Sequence, residues 1–116
     1  MATADFLTQL FGLEGQTAVV IGGAGELGFA LSKGLAQAGA HVVVADMNLE
    51  ACQKRVDQLE EIGGKASAAE VNITSRASLE ALLAEALKVT GRVEMLVNCA
   101  GINAGNPFLE VDPGLW

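Results

Sequence analysis

The chain is 116 residues long, 51% hydrophobic but only 4% aromatic, and carries 14 acidic against 7 basic side chains for a net charge of -7. That length suits one compact domain. The acidic balance with scattered cations argues against a phosphate-backbone partner such as nucleic acid, and no apolar run approaches the ~20 residues needed to span a bilayer. Residues 1–13 lack the basic start and continuous apolar stretch of a secretory signal. Cys52 and Cys99 have no metal-ligand spacing and fit a reducing compartment, so the expected location is cytoplasmic.

Phe6, Leu7, Leu10 and Phe11 have helical spacing, which predicts a short helix packed on the domain or on a partner subunit. Residues 17–21 read as a first strand, 27–38 as a helix ended by Gly39, and 41–45 as a second strand. Leu49, Cys52, Val56 and Leu59 then mark a helix over 49–62, stopped by Gly63-Gly64. A weaker third strand covers 65–71. Ser75 is placed to cap a helix over 75–89 with Leu79, Leu82, Leu83 and Ala86 inward, and 93–97 form a fourth strand. Strands alternating with helices of this length are joined by right-handed crossovers, so the fold class is α/β: a parallel sheet in the order 3-2-1-4 with helices on both faces. Asp112-Pro113 reads as the start of one more helix.

Between the first strand and its helix lies Ile21-Gly22-Gly23-Ala24-Gly25-Glu26-Leu27-Gly28. Gly23, Gly25 and Gly28 have G-x-G-x-x-G spacing, which permits a sharp turn, close approach of backbone to a pyrophosphate, and tight packing of helix on strand. Free N–H groups and the positive end of the helix dipole then face the anion. Asp46 ends the second strand, where a carboxylate in such a fold accepts hydrogen bonds from an adenosine ribose and repels a 2′-phosphate. No Arg or Lys follows it closely, so NAD is expected rather than NADP. Taken alone, Asp46 reads equally as a solvated or capping aspartate. A further motif, Asn98-Cys99-Ala100-Gly101, follows the fourth strand, at the switch point between the first and fourth strands.

With these two motifs the chain resembles the N-terminal half of a short-chain dehydrogenase/reductase. That family's first turn reads Thr-Gly-x-x-x-Gly-x-Gly, matched by Gly22 and Gly28, and its fourth strand ends in Asn-Asn-Ala-Gly, matched by Asn98, Ala100 and Gly101. The resemblance implies a Rossmann-type doubly wound sheet, truncated, with 1–116 as a partial NAD(P)-binding domain. It implies that Gly22, Gly25, Leu27 and Gly28 line the pyrophosphate, that Asn72 and Ile73 flank the adenine, and that Asn98, Ala100 and Gly101 support the central sheet and the nicotinamide-side ribose. Glu26, and Met47 beside Asp46, complete the cofactor-binding set. Where the family usually has an aspartate, the Asn72 amide keeps both an acceptor and a donor for the adenine edge.

Three positions depart from the pattern: Ile21 replaces a threonine, Glu26 the second family glycine and Cys99 the second asparagine. A carboxylate facing a pyrophosphate would be repelled. The Glu26 side chain is therefore expected to turn to solvent or sit near the helix N-terminus, where a negative charge is favourable by about 0.3–1 kcal/mol. Cys99 reads as a small buried core residue rather than a nucleophile, His41 as a surface or strand-edge residue, and Glu60-Glu61 as a solvated helix face. The Gly-Gly-x-Gly-x-Leu-Gly variant resembles members acting on sugar acids, such as mannonate oxidoreductase-like proteins.

The family's proton transfer uses a Ser and a Tyr-x-x-x-Lys, and this sequence contains no tyrosine. No catalytic residue carries over, and no metal site is expected. Two readings follow: the NAD-binding part of an oxidoreductase that, when complete, moves hydride between nicotinamide and a hydroxyl or carbonyl substrate, or a stand-alone nucleotide-binding or interaction module. In either case the fourth strand would present an unpaired edge, which predicts self-association. Residues 102–109, with Gly105-Asn106-Pro107 as a loop, would contribute at most one wall of a substrate site.

Overall fold

The computed structural model describes residues 3–101, together with 109 and 114. Its elements run α1 (Thr3–Phe11), β1 (Thr17–Ile21), α2 (Glu26–Gln37), β2 (His41–Asp46), α3 (Leu49–Glu61), β3 (Lys65–Glu70), α4 (Arg76–Thr90) and β4 (Met95–Asn98). The strands form one parallel sheet in the order β3-β2-β1-β4, as the alternation of strands and helices predicts. Asp112-Pro113 and Gly105-Asn106-Pro107 lie outside the described residues.

Successive side chains of a strand point to opposite faces, and the core divides accordingly. Val20, Val42 and Val44 face Ala36 of α2 and Cys52, Val56 and Leu59 of α3. On the other face Val19, Ile21, Val43, Ala45, Ala69 and Val71 pack against Leu82 and Ala86 of α4. The central strands are buried on both sides, which is why β1 is apolar after Thr17. The Asn48 and Ser75 side chains cap α3 and α4, accepting from the N–H groups of Ala51 and Ser78 at 3.0 and 3.2 Å.

Several helix-face expectations need correction. Leu49 lies on the first turn of α3 and is exposed, and on α4 only Leu82 and Ala86 are buried while Leu79 and Leu83 are not. Leu96 of β4, in register with Val19 on the same sheet face, is exposed as well, so α4 lies over β1 to β3 and leaves these leucines uncovered among the described residues. The α1 residues Phe6, Leu7, Leu10 and Phe11 are all exposed, so α1 does not pack on the domain. Both faces of β1 and of the middle of β2 are already covered, and the chain enters β1 through a separate turn in which the Leu13 N–H donates to the Ala38 carbonyl at 2.8 Å.

Two stability predictions arise from the packing. Ser32 lies on the buried face of α2, between Gly28 and Ala36, and its hydroxyl has no hydrogen-bond partner. An unsatisfied buried hydroxyl costs about 1–3 kcal/mol, so Ser32→Ala is expected to raise stability by about 1 kcal/mol. A higher urea midpoint at unchanged slope would establish this; a lower midpoint would contradict it.

His41 starts β2, bonds Ser67 Oγ through Nε2 at 3.0 Å and stands beside Lys65 in register. Burial, and secondarily the Lys65 charge, hold its pKa below the usual 6.5. The unfolded chain therefore takes up this proton first on acidification. Stability is expected to fall as the pH drops below about 6.5 and to level off below the folded pKa. His41→Gln should remove that slope from urea midpoints measured across the range; a slope unchanged in the variant would sink the assignment.

Candidate functional site

In a parallel sheet the loops after the strands share one edge, and the sequence-derived site residues lie along it. Gly22 is the first residue after β1. Its N–H and that of Gly23 both donate to the Ala45 carbonyl, at 2.8 and 3.1 Å, which folds the turn over the end of β2. Gly22 has φ +80°, and a methyl there would lie 2.7 Å from the Cys99 carbonyl carbon and 2.8 Å from the Ala100 nitrogen. The glycine turn and the Asn98–Gly101 segment are thus packed backbone to backbone. The Cys99 N–H donates to the Ile21 carbonyl at 2.8 Å, and Asn98 Oδ1 accepts the Ala100 N–H at 3.1 Å, so the segment curls over Gly22 as a side-chain-stabilised turn. Cys99 is only half-buried; its place is beside the turn rather than in the core.

Gly25 is the N-cap residue of α2 and gives the helix no side-chain cap. The first-turn N–H groups at Glu26, Leu27 and Gly28 therefore open toward the turn, in contrast to the side-chain-capped starts of α3 and α4. Leu27 is 68% exposed at the same helix start.

Asp46 ends β2. Its Oδ2 accepts the Ala24 N–H at 3.2 Å and its Oδ1 the Met47 N–H at 2.7 Å. The carboxylate is thereby aimed across the glycine turn, and each oxygen retains acceptor capacity. Next to it, Met47, Glu70, Val71, Asn72 and Ser78 line a depression of about 280 Å³ at the ends of β2 and β3. Met47 in that lining and Ile73, the residue after Asn72, are exposed apolar residues.

Asn72 does not behave as its composition suggests. Its Oδ1 accepts both the N–H and the hydroxyl of Thr74, at 3.0 and 2.6 Å, and the backbone N–H fixes that atom as the acceptor. The acceptor is thus turned into the loop, and the side-chain NH₂ is the group left for a ligand.

Sequence reasoning missed Arg55. It lies on α3, nine positions beyond Asp46, yet its Nε donates to the Ala24 carbonyl at 3.0 Å and its NH2 group reaches Glu26 Oε1 at 3.3 Å. The guanidinium also sits 4.3 Å over the Phe29 ring. A cation thus reaches the glycine turn from a different element. The only advance signal was its place three residues after inward-facing Cys52, next to the buried stripe of α3.

Cys52 is no nucleophile at this edge. Cys52 is buried, with its thiol pushed up to about 11 by burial and then by the Asp46 charge. Among the described residues no three His, Cys, Asp or Glu side chains could hold a metal ion, and no helix is long and apolar enough to cross a membrane. Of the segment 102–109 only Leu109 is described, and it is exposed.

A glycine turn, an uncapped helix start and a strand-end carboxylate on one edge of a 3-2-1-4 parallel sheet define a Rossmann-type fold. Residues 16–116 match the model of the family described as short chain dehydrogenase, and the chain belongs to that family, whose members use nicotinamide cofactors. It is similar to 5-keto-D-gluconate 5-reductase of Escherichia coli, 33% identical over 95% of this chain and 43% of that protein. It is also 38% identical to 7alpha-hydroxysteroid dehydrogenase of Escherichia coli, over 83% of this chain and 38% of that one. The crystal structure of a hydroxysteroid dehydrogenase from Escherichia coli superposes with a TM-score of 0.79, at 38% identity, covering 84% of this chain and 42% of that one. The chain therefore spans less than half the length of these relatives.

Proposed function

We propose that this chain is the NAD-binding part of an oxidoreductase whose complete form transfers hydride between a nicotinamide cofactor and a hydroxyl or carbonyl substrate. The observation that carries the reading is the missing side-chain cap on α2. Asn48 and Ser75 cap the helices after β2 and β3, whereas the helix after β1 keeps its first-turn donors free at a backbone-lined turn. An anion is the natural occupant of such a start.

In this reading the N–H groups of Glu26, Leu27 and Gly28 take the pyrophosphate, with Gly22 and Gly25 keeping the approach clear of side chains. Asp46 accepts from the adenosine ribose hydroxyls, and its charge disfavours a 2′-phosphate. Met47 and Ile73 offer apolar surface to the base, and the Asn72 NH₂ donates to its edge. Asn98, Ala100 and Gly101 close the turn on the nicotinamide side. The bound dinucleotide would supply the hydride chemistry; the chain's own residues bind and orient it. A small-molecule substrate belongs to the complete enzyme. Among the relatives, the names specify a keto-gluconate and a hydroxysteroid, and the sugar-acid resemblance of the glycine turn favours the first class.

Calorimetric titration of the purified chain with NADH and NADPH tests the reading. Binding with NADH preferred is the expected result. A folded chain that binds neither would overturn it.

A further inference from the structure

Glu26 is the departure from the family pattern hardest to reconcile with a bound pyrophosphate, because it puts a carboxylate on the first turn of the helix that would hold the anion. We infer that Arg55 is the positioning residue that makes Glu26 compatible with this site; the inference rests on the nucleotide-binding reading above. The Arg55 side chain is 18% exposed and that of Glu26 97% exposed, so the cation is the anchored partner and the carboxylate the solvent-exposed one. Nε holds the Ala24 carbonyl at 3.0 Å, NH1 holds Gln58 Oε1 at 3.1 Å, and the guanidinium plane lies on the Phe29 ring at 4.3 Å. Three attachments from three directions fix the fork, and NH2 then draws Glu26 Oε1 to 3.3 Å on the α3 side of the helix start.

Two consequences follow for an anion at the turn. The Glu26 charge is offset and turned toward α3, leaving the first-turn N–H groups as the nearest polar groups to the ligand. The Ala24 residue is held from both sides, its carbonyl by Arg55 and its N–H by Asp46 Oδ2, so the turn that carries the donors and the carboxylate that reads the ribose keep one register. Arginine suits this task better than lysine as a fork, yet a lysine would retain the offsetting charge.

The test is a double-mutant cycle on the purified chain, with NADH affinity read by calorimetry and melting temperature recorded for every variant. Arg55→Gln keeps a shorter polar side chain while removing the charge, and is expected to weaken NADH binding roughly tenfold, the size of one charge-assisted contact. In a Glu26→Gln background the same substitution should cost less than about threefold, since no carboxylate remains to be offset. Arg55→Lys, in the wild-type background, should stay within about threefold of the unaltered chain. Equal losses in both backgrounds, or an Arg55→Lys defect as large as that of Arg55→Gln, would overturn the assignment and leave Arg55 a packing residue. If the unaltered chain binds neither NADH nor NADPH, the nucleotide reading itself fails and this inference with it.

Discussion

Gly28→Ala is expected to cost about 3 kcal/mol of stability and to weaken NADH binding at least a hundredfold. A methyl at this position would overlap the Gly22 carbonyl oxygen and lie 2.9 Å from both the Gly22 carbonyl carbon and the Gly23 Cα. All three are backbone atoms, so no rotamer change relieves the overlap, and overpacking of this kind costs about 1–3 kcal/mol or more. Relief requires α2 to lift away from the turn, which carries its first-turn donors away from the anion they are proposed to hold. A displacement of about 1 Å is enough to lose roughly a hundredfold at a geometrically demanding site. Gly34 on the same helix supplies the control. A methyl there meets nothing within 4 Å, so Gly34→Ala should stabilise by about 0.5–1 kcal/mol through helix propensity alone. Urea unfolding and NADH titration of both variants check the contrast; equal effects would show that the close approach of α2 to the turn is not what Gly28 provides.

Asp46→Ala is expected to weaken NADH binding by about 10- to 100-fold, the equivalent of about 1.5–3 kcal/mol for a hydrogen bond to a charged acceptor. It removes the acceptor proposed for the ribose, and it leaves the Ala24 and Met47 N–H groups without theirs. NADPH should respond in the opposite direction, because the carboxylate that would repel a 2′-phosphate is gone. Asp46→Asn separates the two effects. It retains a neutral acceptor and should lose less NADH affinity than Asp46→Ala while still narrowing the gap to NADPH. Parallel losses for both dinucleotides in both variants would mean that Asp46 only organises the turn.

The agreement between sequence and structure is best where one local signal had one local cause. β1 runs over the expected residues because five consecutive apolar or β-branched positions suit a strand buried on both faces. Ser75 caps α4 as its spacing suggests, and α2 ends just before Gly39. Agreement is poorest where a side chain's fate depends on what stands opposite it. Leu49, Leu79 and Leu83 share helical spacing with buried neighbours, yet they stay exposed, since spacing sets a face of the helix and not how far the sheet beneath covers it. The same holds for Phe6, Leu7, Leu10 and Phe11: periodicity gives α1 an apolar face, but not something for that face to cover.

The amino-acid sequence by itself determined the parallel α/β order and the family, through the period of its apolar residues and two short motifs. Both are properties of neighbouring residues, and neighbours stay neighbours in any fold. Tertiary structure alone decided which donors and acceptors remain for a ligand. Asn72 has its acceptor taken by Thr74, and Arg55 meets Glu26 across 29 positions of chain. Hydrogen bonds act over about 3 Å in space with no regard for sequence distance, so only the packing of α3 beside α2 could bring these two charges together.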